Sequence, residues 1–454
     1  SFTVGESLNT NGASFVAYVF AHHANDGEFG PDSDQDIIKC GSYTGNGNSS
    51  NGTEVNLGFE PQFLMVKRAT GGSGDWAVLD TMRGWTVGPG NKERLRWNVS
   101  NIEAQSGSGF ALLHTGFKLF DSDAAINGNG SNYIYMAIRR GPLAVPDDAT
   151  KVFHIQSQSN GATYSVGFPI DTLLHSKIAG SSINAIVGNR LTGNDKYLIT
   201  SSTGAEGTSS GVWDFDLQNS FKQGATTGQA SIGWHWKRAP GYFDVVTYTG
   251  TGSARTVSHN LGVVPEMMWV KARSASGEMW FVYHKDLNVN GDNAPETDYL
   301  WLNGTHAAAD DADAWNDTAP TASAFSVKSG GGTNGSGVTY IAFLFATVPG
   351  VSKLGGITGN GSTSGDDQDI DCGFTSGARF VLIKRTSGAG GWYFFDSTRG
   401  IVAGNDPFLN LTTTAAENTG VDLIEPLSSG FTFKYNVDWS FNLSGNSYIF
   451  YAIA

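Results

Sequence analysis

A unit of about one hundred residues recurs along this chain, and the recurrence constrains the fold more than any other feature. Each clear copy opens with a turn and a Gly-aromatic or Gly-Val pair, then an apolar strand ended by a base. Gly58-Phe59 leads through Phe63–Val66 to Lys67-Arg68, Gly262-Val263 through Met267–Val270 to Lys271, and Gly373-Phe374 through Phe380–Ile383 to Lys384-Arg385. Each copy closes with a turn and a continuous apolar strand, at Tyr133–Ile138, Tyr340–Ala346 and Tyr448–Ala454. Runs of this kind read as strands covered on both faces. A weaker copy opens at Gly167-Phe168 and closes at Ile232–Trp236, where Lys237-Arg238-Ala239-Pro240 matches Arg139-Arg140-Gly141-Pro142. The four openings are 109, 95 and 111 residues apart, which is the length of a β-sandwich and too long for a propeller blade or solenoid coil.

The expected architecture is therefore all-β: tandem antiparallel β-sandwich domains of jelly-roll or lectin-like kind. The boundaries fall at 1–41 (closing half of an upstream repeat plus linker), 42–145, 146–240 (the divergent copy), 241–350 and 351–454. Short linkers suggest a stiff string of domains. Phe2–Val4, Asn11-Gly12 and Phe15–Ala21 look like the closing half of a copy, so the expectation is that a further half-repeat precedes Ser1.

Composition excludes several functions. With 28 Lys+Arg against 42 Asp+Glu the net charge is −14, and no basic run exceeds the Arg139-Arg140 and Lys237-Arg238 pairs, so nucleic acid is a poor partner. Charged residues at 15 % and aromatics at 12 % are the opposite of a disordered bias. The longest apolar stretches are far shorter than the ~20 residues that span a bilayer, so no membrane span is expected. Two cysteines, Cys40 and Cys372, cannot make a disulfide framework.

Three sets of residues are candidates for chemistry. Trp-x3-Asp-x2-Arg-Gly occurs as Trp76, Asp80, Arg83, Gly84 and as Trp392, Asp396, Arg399, Gly400, while the third copy has Trp280 with His284 in the Asp position. Recurrence favours a structural corner, with Asp80–Arg83 and Asp396–Arg399 pairing across a turn. The competing reading is a sugar platform, for which Trp76, Trp97, Trp301, Trp315 and Trp392 are the candidate stacking residues. Asp32, Asp34 and Asp36 present alternate carboxylates that would suit Ca2+, which takes ~6–8 oxygens, although Ile37 stands where an EF-hand needs Gly. No other cofactor is expected. No His-Glu-x-x-His, P-loop or nucleophile elbow stands out, so the chain reads as a non-enzyme.

Ser42-Tyr43-Thr44-Gly45-Asn46-Gly47, Gly58-Phe59-Glu60-Pro61-Gln62-Phe63, Lys237–Asp244, Val257–Pro265, Gly377–Arg385 and Ser447–Ala454 resemble a β-rich repeat family in structural, tail-fibre-like proteins of marine tailed bacteriophages. The resemblance implies a virion surface component (fibre, knob or decoration) assembled in the host cytoplasm, with other virion proteins as partners and a homo-oligomeric state. Two further readings are an adhesin for host surface glycans and, less favoured, a polysaccharide depolymerase.

Overall fold

The computed structural model describes residues 2–22, 29–30, 33–90, 92–106, 109–158, 161–179, 184–223, 230–361, 367–436 and 438–454. Within them the chain is all-β and antiparallel, built four times on one plan. In the first repeat the main sheet runs Ile38–Thr44, Asn132–Arg139, Pro61–Arg68, Ala77–Asp80, Lys92–Arg96, Ala104–Ser106 in spatial order. Its smaller sheet is Glu54–Asn56, Gly116–Leu119, Phe110–Leu113. The other repeats follow this order, starting at Phe153–Gln158, Phe243–Thr249 and Ser352–Thr358, except that the third has a two-stranded small sheet and the fourth a five-stranded main sheet. The first expected boundary, 41/42, thus cuts the strand Ile38–Thr44, which belongs whole to the first repeat.

The repeated sequence signals have local causes. Gly58, Gly167, Gly262 and Gly373 open the copies with φ of 80, 89, 78 and 71°, a left-handed turn that costs a side-chain-bearing residue strain. The closing strands are interior strands, each flanked on both sides in its main sheet. Their first tyrosines hold the preceding turn: the hydroxyls of Tyr133, Tyr340 and Tyr448 accept from the N–H of Gly128, Gly335 and Leu443 and donate to the carbonyls of Ala124, Gly331 and Ser440. Buried Asn127, Asn334 and Asn442 then tie that turn to the end of the first strand, accepting from the N–H of Asn46, Thr251 and Asn360.

Strand register puts Phe63, Thr172, Met267 and Phe380 at one equivalent position, and Trp76, Ala185, Trp280 and Trp392 at another. One face of each main sheet packs on its own small sheet, as in the clusters around Tyr248, Phe325 and Tyr340 or around Phe431, Phe433 and Tyr448. The other face is covered, in the second, third and fourth repeats, by the other repeats. Glu206 N–H donates to Arg273 O (2.8 Å), Ala308 N–H to Thr386 O (2.8 Å) and Glu417 N–H to Ile178 O (3.3 Å), the same bond at three successive junctions. The indoles of Trp280 and Trp392 donate to Ile199 O (3.0 Å) and Trp301 O (2.9 Å) of the preceding repeat. Buried Lys271 and Lys384 reach the carbonyls of Thr203 and Thr305 in the same sense. The third junction carries Ala185 and Ser176 at the Trp and Lys positions and joins instead through Thr200 Oγ1 to Leu411 O (3.0 Å).

Repeats two to four therefore close head-to-tail into a three-membered ring, the outcome when identical heterologous contacts complete a rotation. Its centre holds Trp234, Trp280, Phe343, Trp392, Phe394 and Tyr451, all buried. This corrects the expected string of domains: the apolar inner faces are core only because the repeats fold onto one another. Phe15–Ala21 also departs from expectation. It forms no strand, and Val16, Tyr18 and Val19 are exposed, since no strand among the described residues offers its backbone a partner.

Candidate functional site

The Trp-x3-Asp-x2-Arg-Gly motif lies where the second strand of each hairpin ends. Asp80, Asn189, His284 and Asp396 occupy one register position, and each accepts the backbone N–H two residues on, from Met82, Leu191, Asp286 and Thr398. Short polar side chains do this well, which is why Asn and His replace Asp without loss of the turn. Arg83 Nε and Arg399 Nε each lie 2.6 Å from the carboxylate three residues back. Arg83 also pairs with Glu103, and Arg399 with Glu417 at 3.2 Å.

The fourth-repeat copy reaches beyond its own turn. Trp234 Nε1 of the second repeat donates to Asp396 Oδ2 (3.1 Å), and the Arg399 guanidinium lies 5.4 Å over the same indole. The expected intradomain pair is thus also a joint across the ring. In the first repeat the equivalent turn meets the second repeat through Arg190, whose Nη1 points at Thr81 O (3.5 Å). Beside it opens a cavity of ≈ 270 Å³ lined by Thr86, Glu93, Arg190, Asn194 and Asp216.

The proposed sugar-stacking set does not converge. Trp315 and Trp392 are each 1 % exposed, with indole N–H groups on Asp298 O and Trp301 O, so neither offers a face to a ligand. Trp301 is half-buried with His306 against its ring. Trp76 is half-buried beneath the Lys67 ammonium, 5.9 Å from its ring centre. Trp97 alone of the five is open, at 59 %, and lies 5.9 Å from the ring of Phe63.

Asp32 lies outside the described residues. Asp34 is exposed and Asp36 buried, and no group of three metal-ligating side chains occurs among the described residues. Cys40 and Cys372 are free thiols. Gly207-Thr208-Ser209-Ser210-Gly211 fits the Gly-x-Ser-x-Gly string of a nucleophile elbow, contrary to the sequence expectation. It begins on the two-residue strand Gly207–Thr208 and leads to another strand, Trp213–Asp214, so it lacks the strand-to-helix turn that exposes such a serine.

Sequence reasoning missed the most concentrated polar chemistry among the described residues. Arg238 grips Glu60 with two parallel bonds of 2.8 Å, while its Nε and backbone N–H bind Asp171 at 3.1 and 2.7 Å. Asp244 lies 3.9 Å from Arg238 and 3.7 Å from Arg140. These groups come from repeats one, two and three, and Arg238 is 1 % exposed. Burial alone would depress the Arg238 guanidinium, yet Glu60 and Asp171 outweigh it and raise its pKa. Burial likewise works against the Asp171 carboxylate, but Arg238, Arg140 and Arg190 bring its pKa below the usual value. The cluster is a fixed three-way clasp. Its only sequence signal is the matched Arg-Gly-Pro and Arg-Ala-Pro that follow two closing strands.

No helix among the described residues is long and apolar enough to cross a membrane. A family model described as a domain of unknown function (DUF7483) matches residues 1–142 and 148–454. No curated protein matches the chain.

Proposed function

The chain belongs to the DUF7483 family over nearly its whole length, and since that description assigns no activity, we propose from the geometry and the phage-like repeats that it is a non-enzymatic structural protein of a virion surface. The observation that carries this reading is where the recurring motif residues go. Trp280, Trp392, Asp396, Arg399, Lys271 and Lys384, the groups with most chemical potential in each repeat, point into junctions between repeats. A fibre, knob or decoration needs such rigidity. Antibodies against the chain should label purified particles of the phage whose genome encodes it. Particles that stay unlabelled while the lysate reacts would overturn the proposal.

Exposed Trp97 supports the adhesin as a second reading, because an open indole beside a phenyl ring suits a pyranose face. A glycan array probed with the full chain and with Trp97→Ala tests it. Selective binding lost in the variant favours the adhesin, and no binding by the full chain rejects it.

A further inference from the structure

The inner face that repeats two to four bury in their ring has a counterpart in the first repeat, and there it is partly open, with Met136 buried beneath its neighbours. By register its members are Phe63, Met65, Trp76, Trp97, Ile134 and Met136. Ile134 is 45 % exposed and Trp97 59 %, whereas their equivalents Ile341, Ile449, Leu302 and Leu411 are at 1 % or less. Phe63, Met65 and Trp76 are half-buried, against full burial of Met267, Trp269 and Trp280 and of Phe380, Leu382 and Trp392. An apolar sheet face of this kind on an acidic, turn-rich protein marks an interaction surface.

The ring itself specifies what fits that surface. Lys384 donates to Gly390 O within its own repeat and to Thr305 O and His306 O of the preceding one. Lys67 already makes the internal bond, to Gly74 O, and its ammonium stands over Trp76 awaiting the second set. Among the described residues, repeats two, three and four use their own inner faces on one another, so none of them covers the first.

We propose that three copies of this chain associate through their first repeats around a three-fold axis, reproducing between chains the junctions made within the ring. Trp76 Nε1 of one copy donates to Arg96 O of the next, Lys67 to Ser100 O, and Glu103 N–H to Ala69 O. These are the register equivalents of Trp392 to Trp301, Lys384 to Thr305 and Ala308 to Thr386. Phe63, Met65, Trp97, Ile134 and Met136 form the shared core, which takes Trp97 away from any glycan and so excludes the adhesin reading at that residue. Head-to-tail contacts of this geometry close at three, so a dimer would leave one junction face open.

The inference rests on the structural role proposed above and names its partner. Sedimentation velocity and light scattering on the full chain at tens of micromolar should give about three times the 48.1 kDa chain mass. Trp97→Asp and, separately, Ile134→Lys should each return a single-chain mass with unchanged circular dichroism and a melt that no longer depends on protein concentration, whereas Val289→Asp, on an exposed residue of the third repeat, should leave the trimer intact. A monomer or dimer for the unaltered chain, or a trimer that survives both face variants, overturns the inference. Particles that label with antibody while the chain is monomeric would sink the trimer and keep the structural role, so the two failures are distinguishable.

Discussion

Glu60 and Arg238 stand 178 positions apart in sequence and meet with almost no access to water. A buried ion pair is weak evidence of net stability, because desolvation offsets most of the attraction, but removing one partner strands the other. Glu60→Ala should therefore cost ~3–5 kcal/mol in denaturant unfolding, and Glu60→Leu combined with Arg238→Met should recover much of that loss. His235 is buried too, between the amide of Gln158 at Nε2 (3.1 Å) and the carbonyl of His154 at Nδ1 (3.2 Å). The carbonyl can only accept, so the proton sits on Nδ1 and Nε2 accepts from Gln158. Burial, aided by His154, pulls the His235 pKa down to about 3 from 6.5. Between those values the unfolded chain binds a proton that the folded chain does not, so stability rises with pH across the window and is lost on acidification. His235→Gln should flatten the dependence of unfolding free energy on pH there by ~1.4 kcal/mol per pH unit. Little of this was legible in the sequence. Arg238 could be read only as half of a basic pair, since a carboxylate supplied by another repeat leaves no local signature.

At the scale of elements, the same hairpin corner is used four times with unequal burial. Asp80 serves a partly open turn with its side chain 24 % exposed, whereas Asp396 is fully buried and holds Arg399 and Trp234 at once. Thermal and denaturant melts should show Asp80→Asn costing ~1 kcal/mol and Asp396→Asn ~3 kcal/mol, the difference being the extra buried partners. Equal costs would mean the cross-ring bond contributes nothing. The corner was visible in the spacing of Trp, Asp, Arg and Gly, as were the closing strands and their tyrosines, because these interactions lie within a few residues or one hairpin. Which strand end each tryptophan docks onto was not, and for that reason Trp315 and Trp392 passed for ligand-facing residues.

Across the whole molecule, a period of about a hundred residues and continuous apolar strands were enough to give sandwich-like units covered on both faces. The identity of the second cover lay beyond reach, since a face that meets a neighbouring repeat has the same composition as one that meets a second sheet. Shared cover has a thermodynamic signature. Calorimetry should show residues 153–454 unfolding in one transition, and truncation after 350 should unfold repeats two and three as well, where independent domains would melt separately. The net charge of −14 adds that the chain should not be retained on a nucleic-acid column at physiological salt.

Ring closure also governs how such a gene can lengthen. An open solenoid accepts one more unit anywhere along its length, because each unit touches only its neighbours. A ring closed by Glu417 on Ile178 has no vacancy for a fourth member, and a single duplication would expel one inner face into water. Viable growth therefore proceeds by whole triplets, or by one extra copy at the end where an unclosed unit already stands. Among the described residues, three repeats are closed in this way and one stands with its inner face partly open.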